Sequence, residues 1–151
     1  MTGSEAFPKK KGAIILARMD SSRFPGKALS PFGKSTLVES VIKRIVSPDY
    51  MTILATSDRT IDDPLAEVAA KASVPCFRGA THDVAKRILS CAKQFELDYF
   101  ARVNGDSPFV SGTMIEGGFR IMVSSSYDLV TNLLPRRYPY GISVEIVSTP
   151  A

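Results

Sequence analysis

Histidine and cysteine, the common soft ligands of transition metals, are nearly absent: the chain has one histidine, His82, and two cysteines, Cys76 and Cys91. No CxxC spacing or histidine cluster surrounds them, so neither a zinc centre nor a disulfide framework organises the protein, and the cysteines read as reduced packing residues. His82 stands between Thr81 and Asp83, where a helix is expected to begin, which makes it a surface or capping neighbour rather than a catalytic base. Long apolar runs are missing too. None approaches the ~20 residues of a membrane-spanning helix, and the segment Met1 to Lys11 lacks an apolar stretch of signal-peptide length. The expectation is a soluble, unexported, cytoplasmic protein. Basic and aromatic residues do not interleave along one face, so nucleic acid, like a membrane, is not an expected partner.

What is present is one domain's worth of core. With 151 residues, 44% of them hydrophobic, the chain is long enough to bury one core and too short to divide comfortably into two. Residues 1–11 form a polar, solvated or disordered end that includes Lys9, Lys10 and Lys11, and residues 12–151 form the folded unit. The formal charge of +4 is mild, but it is concentrated: Arg18, Arg23, Lys27 and Lys34 face only Asp20 between Arg18 and Ser35.

Strand-length apolar runs alternate with helical patterns, the signature of an α/β fold with a mostly parallel sheet. Strands are predicted at Gly12 to Ala17, Met51 to Thr56, Val74 to Phe77, Tyr99 to Val103, Tyr127 to Leu133 and Ile142 to Val147. Helices are predicted after the first long loop, with Leu37, Val41 and Ile45 in one inward row and Val38, Ile42 and Val46 in another, and after Asp62-Asp63-Pro64, which supply capping and first-turn chemistry. A third follows Thr81 as N-cap, with Val84, Ile88, Ala92 and Phe95 buried and Cys91 beside them; a fourth follows Ser111 and is weakened by Gly117 and Gly118.

Ligands of open α/β sheets lie beyond the carboxyl ends of the strands, which directs attention to two loops. The loop after the first strand, Arg18 to Lys34, far exceeds the ~2 to 6 residues such a connection needs. Its core, Arg18-Met19-Asp20-Ser21-Ser22-Arg23-Phe24-Pro25-Gly26-Lys27, offers cations, hydroxyls and a Pro-Gly turn, which a polyphosphate requires and which a solvated basic loop would also display. Ala28 to Ser35 overlaps it as a relaxed Walker A pattern, an ATPase motif centred on Lys34; against it stand its distance from the strand and Pro31, which removes a donor from the phosphate nest. The second loop, Asn104-Gly105-Asp106-Ser107-Pro108, has a bland account, Asp106 closing a turn on its own backbone. It also has a functional one, Asp106 holding Mg²⁺ against phosphates.

LARMDSSRFPGK resembles the N-terminal signature of the sugar cytidylyltransferases that act on acylneuraminate and deoxyoctulosonate, with particular likeness to the branch of spore-coat polysaccharide biosynthesis proteins. ATSDRTIDDPLAEVA, VPCFRGATHDVAKR, VNGDSPFV and NLLPRRYPYGISVEIVS follow in the same order, so the resemblance runs from about Ala13 to Ser148. It implies a Rossmann-like nucleotidyltransferase fold, GT-A-like and three-layered. The implied reaction transfers CMP from CTP to an acidic sugar of 2-keto acid type, with Mg²⁺ as cofactor and release of pyrophosphate, in surface-polysaccharide biosynthesis. Carried over by position, Arg18 and Lys27 hold the triphosphate, with Ser21, Ser22 and Arg23 in the same loop. Arg78 contacts the nucleotide, Asn104 lies near ribose or base, and Asp106 is the first metal ligand; Glu145, not part of the carried-over pattern, is the substitute second ligand if the last strand points it into the site. Family members run on through a further stretch that completes the sugar pocket, supplies homodimer contacts and carries a second metal-binding aspartate. The chain is therefore expected to bind CTP–Mg²⁺ and to transfer poorly alone. A P-loop ATPase and a non-catalytic nucleotide-binding or assembly module are the other classes open.

Overall fold

The computed structural model describes residues 9–21 and 24–149. Strand β1 (Lys11–Leu16) runs through the centre with four consecutive buried residues, Gly12 to Ile15, as a strand covered on both faces must. After the long loop come a two-stranded hairpin, β2 (Pro31–Phe32) and β3 (Ser35–Thr36), and helix α1 (Leu37–Ile45). Thr36 and Glu39 close a reciprocal capping box at its start, satisfying two of the helix's orphan donors. Then follow β4 (Met51–Ser57), α2 (Asp63–Lys71), β5 (Cys76–Gly79), α3 (Val84–Gln94), β6 (Tyr99–Asn104), α4 (Gly112–Ser124), β7 (Leu129–Thr131) and β8 (Glu145–Ser148).

The six-stranded sheet has the order β5-β4-β1-β6-β8-β7. The four strands β5, β4, β1 and β6 are mutually parallel, and β8 and β7 add antiparallel pairings at the far edge. Helices α1, α2 and α4 cover one face, over Ala13, Ile15, Leu54, Val103 and Ile146. Helix α3 covers the other, over Ile14, Ile53, Phe77 and Phe100. This is the expected three-layer α/β sandwich. The chain winds outward from β1 to β5 and then returns through α3 to β6 on the other side of β1, so the reversal of strand order falls between β1 and β6, where such folds bind ligands. Among the described residues no helix is long and apolar enough to cross a membrane.

Several predicted boundaries move for physical reasons. Lys9 to Lys11 are not a free end: Asp98 takes the Lys10 amide at 2.8 Å and the Lys9 ammonium at 3.3 Å, and Lys11 opens β1. The remainder of the polar end, residues 1–8, lies outside the described residues. The cap of α3 is Asp83, whose carboxylate accepts from Lys86 N at 2.8 Å, while the Thr81 hydroxyl turns to Asp58. Asp62 precedes α2 but its side chain caps nothing there. β5 begins two residues later than its apolar run, and β7 and β8 are shorter than theirs. In α4 the two glycines lie mid-helix as expected, and Gly118 packs directly on Ile146, where an added Cβ would stand 2.7 Å from Cγ1. Cys91 is fully buried and Cys76 half-buried, both unbridged; burial first, then Cys76, pushes the Cys91 thiol up to about 12.

Candidate functional site

A polar cleft of about 370 Å³ opens at the carboxyl ends of β1 and β6 and is lined by Leu16, Ala17, Arg18, Ser21, Lys27, Ala28, Asn104, Gly105 and Asp106. Two loops make it, and each is shaped by one glycine. In the first, Phe24 to Lys27 form a turn in which Lys27 N donates to Phe24 O at 3.2 Å. Gly26 at its third position has φ 73°, the left-handed geometry that makes Pro-Gly a type II turn. Gly26 N also donates to Met19 O at 2.7 Å, drawing the loop into a closed ring. Lys27 follows at the start of a short 3-10 turn, Lys27–Leu29, and is thereby aimed across the cleft. In the second loop, Gly105 N donates to Leu16 O at 2.8 Å, and a Cβ at Gly105 would stand 2.9 Å from Ala17 Cβ. Any larger residue would wedge the two strand ends apart.

The two loops meet through Lys27 and Asp106, with Lys27 Nζ 2.7 Å from Asp106 Oδ2. The turn after β6 is closed by its own backbone, Ser107 N to Asn104 O at 3.0 Å, so the Asp106 carboxylate is not spent on closing it. Arg18 reaches the cleft from the end of β1 and donates through Nη1 to Thr81 O at 2.9 Å; Asp20 Oδ1 lies 3.7 Å away and Asp20 is itself paired with Arg59. Beneath the loop, Asp62 is fully buried and accepts from Met19 N at 2.7 Å and from the amide and hydroxyl of Ser57. Burial raises its pKa, but the bonds from Ser57 and Met19 outweigh burial and hold the carboxyl below its ordinary value. Asp62 thus anchors the root of the basic loop to β4.

Arg18, Lys27, Ser21, Asn104 and Asp106 are brought to one cleft. Ser22 and Arg23 lie outside the described residues. Arg78 does not line it: the side chain, on edge strand β5, is tied to Ser57 O at 3.0 Å, Arg59 O at 2.6 Å and Asp63 at 2.6 Å, which makes it a brace for the β4–α2 connection. Glu145 does not line it either. It is ion-paired with Arg102, its register partner on β6, so its charge is already answered. The Walker-like stretch Ala28 to Ser35 folds into the 3-10 turn and the β2–β3 hairpin, with Lys34 exposed at the tip and outside the cleft. It forms no nest after β1, and the ATPase reading loses its physical basis.

Sequence reasoning missed two buried charged residues near the site. Asp62 looked like a cap because it precedes Pro64; only the fold shows β4 and the basic loop converging on it. Arg87 is 2% exposed and had a legible signal, since it shares the helix face of Val84 and Cys91, where a charge is out of place. Among the described residues no three His, Cys, Asp or Glu side chains gather into a metal-holding group.

Comparison with known proteins bears on the family and the fold. Thirty per cent identity over 144 residues relates the chain to the spore coat polysaccharide biosynthesis protein SpsF of Bacillus subtilis, covering 89% of this chain and 58% of that protein. The 3-deoxy-manno-octulosonate cytidylyltransferase of Trichlorobacter lovleyi is 30% identical over 106 residues, 68% of this chain and 41% of that one. The chain thus spans about half the length of these curated relatives. A cytidylyltransferase structure from Leptospira borgpetersenii superposes with TM-score 0.90 at 30% identity, over 95% of this chain and 62% of that one. A CMP:2-keto-3-deoxy-manno-octonic acid synthetase complexed with CTP shares the fold, at TM-score 0.73 and 15% identity, over 94% of this chain and 75% of that one. The cytidylyltransferase family model matches residues 12–143, a span that contains β6, all of β1 but Lys11 and every residue lining the cleft between them, and the chain belongs to the cytidylyltransferase family.

Proposed function

We propose that this chain carries the CTP site of an enzyme that transfers CMP to an acidic sugar of 2-keto acid type, releasing pyrophosphate, in surface-polysaccharide biosynthesis. The observation that carries the proposal is the convergence of Arg18, Lys27 and Asp106 at the switch point of the sheet, with Lys27 and Asp106 in contact across it. A triphosphate needs cations on its oxygens and a hard anchor for its metal, and this cleft offers both within one opening.

In the proposed reaction a sugar hydroxyl attacks the α-phosphorus of CTP and gives up its proton to solvent, a phosphorus–oxygen bond forms as the bond to the bridging oxygen breaks, and pyrophosphate leaves with the released charge. The chain's own part is positioning and electrostatics. Arg18 and Lys27 offset charge on the phosphates, the Ser21 hydroxyl lies in the same opening, and Asn104 stands beside Leu16 for contact with the nucleoside. Mg²⁺ fits the donor set: Asp106 is a hard oxygen ligand that only Lys27 engages among the described residues, and magnesium commonly takes one or two carboxylates and completes its shell with phosphates and water. Asp106 would hold it, and its chemistry there would be to withdraw charge from the phosphate oxygens.

The test is calorimetric titration with CTP, UTP, GTP and ATP in Mg²⁺, followed by pyrophosphate measurement with CTP and a panel of 2-keto acid sugars. Selective CTP binding is expected. Equal binding of ATP would remove the cytidine assignment, and selective binding without pyrophosphate from a chain extended to the length of its relatives would leave a non-catalytic nucleotide-binding module.

A further inference from the structure

Arg87 has no role in the chemistry above, yet it is nearly inaccessible, at 2% exposure. Its position is electrostatically poor. It lies one turn into α3, near the helix end that already carries partial positive charge. No carboxylate among the described residues forms an ion pair with it, and Nε has no hydrogen-bond partner. Burial, and after it the charge of Arg18, lowers its pKa against the opposing pull of the Asp62 and Asp20 carboxylates, although a guanidinium stays protonated. A buried charge with no ion-paired carboxylate and an unpartnered Nε needs a reason beyond packing.

Its contacts supply one. The side chain reaches back toward the helix N-terminus, as helical side chains do, and Nη1 donates to Ala80 O at 2.7 Å and to Thr81 O at 3.3 Å. The same Thr81 carbonyl accepts from Arg18 Nη1 at 2.9 Å. A single oxygen thus joins the buried arginine to the arginine that faces the cleft. Arg18, Arg87, Arg102 and Asn104 also line one small recess beside the cleft.

We propose that Arg87 is a positioning residue for Arg18: it clamps the Ala80–Thr81 segment, aims the Thr81 carbonyl at the Arg18 guanidinium, and so holds Arg18 turned toward the triphosphate. The inference rests on reading the cleft as a triphosphate site. Released from the clamp, the carbonyl could rotate away, leaving Asp20 at 3.7 Å as the competing partner that draws Arg18 back along its own loop.

A double-mutant cycle tests it, with CTP and inorganic tripolyphosphate as probes and calorimetry as the readout. Arg87→Lys keeps the charge but is one bond shorter, so its nitrogen falls short of the Ala80 and Thr81 carbonyls that Nη1 reaches. It is expected to weaken both probes roughly ten-fold in the wild-type background and less than about two-fold when Arg18→Ala is already present, the non-additivity of coupled residues. Thermal unfolding of the four proteins is followed alongside. Equal losses in both backgrounds would mean that Arg87 acts through overall stability or charge, and no loss would mean that it does nothing for the cleft; either overturns the inference. Arg87→Met should behave like Arg87→Lys, and if it fails to fold the lysine variant still decides. Tripolyphosphate binding without CTP binding overturns the cytidine assignment and leaves the cycle informative; binding of neither overturns both.

Discussion

Asp106→Asn separates the two tasks of this carboxylate, because they have opposite signs. Without metal, Asp106 occupies the Lys27 ammonium at 2.7 Å and places a negative charge beside incoming phosphates. Both effects oppose nucleotide binding. The pair is half exposed, 43% and 46% for the two side chains, so its strength is that of a surface ion pair, about 0.2 to 1 kcal/mol. Freeing Lys27 should then tighten CTP by up to about five-fold in EDTA, since 1.4 kcal/mol corresponds to a factor of about ten. With saturating Mg²⁺ the order should reverse, because the variant lacks the carboxylate that attracts the cation. The fold should be unaffected: the turn is closed by Ser107 N and Asn104 O, not by the Asp106 side chain. The assay is a CTP titration of both proteins in EDTA and in Mg²⁺, with thermal unfolding as control. If Mg²⁺ changes the affinity of wild type and variant by the same factor, Asp106 does not recruit the metal. If the variant also binds CTP more weakly in EDTA, the competition between carboxylate and phosphate for Lys27 is refuted.

Lys27→Ala should weaken CTP by about 1.5 to 3 kcal/mol, the scale of a hydrogen bond to a charged group, whereas Lys34→Ala, at the exposed hairpin tip, should leave affinity unchanged within error; the reverse ranking in a parallel titration would restore the Walker-like motif. Asp62→Asn should destabilise the fold at neutral pH by about 1 to 3 kcal/mol, because buried donors from Met19 and Ser57 lose their ionised acceptor. The folded-state pKa of Asp62 is lowered, so its contribution is complete above the unfolded value of about 3.9 and fades as pH falls through the folded value. The Tm gap between wild type and variant should accordingly be constant from pH 5 to 7 and narrow below about pH 4; a gap independent of pH would show that Asp62 acts by shape alone.

Local chemistry wrote much of this molecule into its sequence. Consecutive apolar residues in Gly12 to Leu16 and Met51 to Thr56 specify strands buried on both sides, Thr36 and Glu39 specify where α1 starts, and Pro25-Gly26 specifies the turn that presents Lys27. These are decided by interactions within a few residues, and so were the excess length and charge of the loop that became one wall of the cleft. Three-dimensional convergence decided the rest. That Asp106 faces Lys27 instead of closing its own turn depends on β6 returning to lie beside β1, across 79 residues of sequence. Asp62 and Asp83 are both acidic residues near a helix start, and only their neighbours distinguish a buried anchor for the basic loop from an ordinary N-cap. Arg78 and Glu145 have the residue types a nucleotide site uses, yet Asp63 and Arg102 stand close enough to engage them. The physical reason is common to all of these: a charged side chain is satisfied by whichever partner the fold brings within about 3 Å, and that partner is set by strand order and register, which no local pattern encodes.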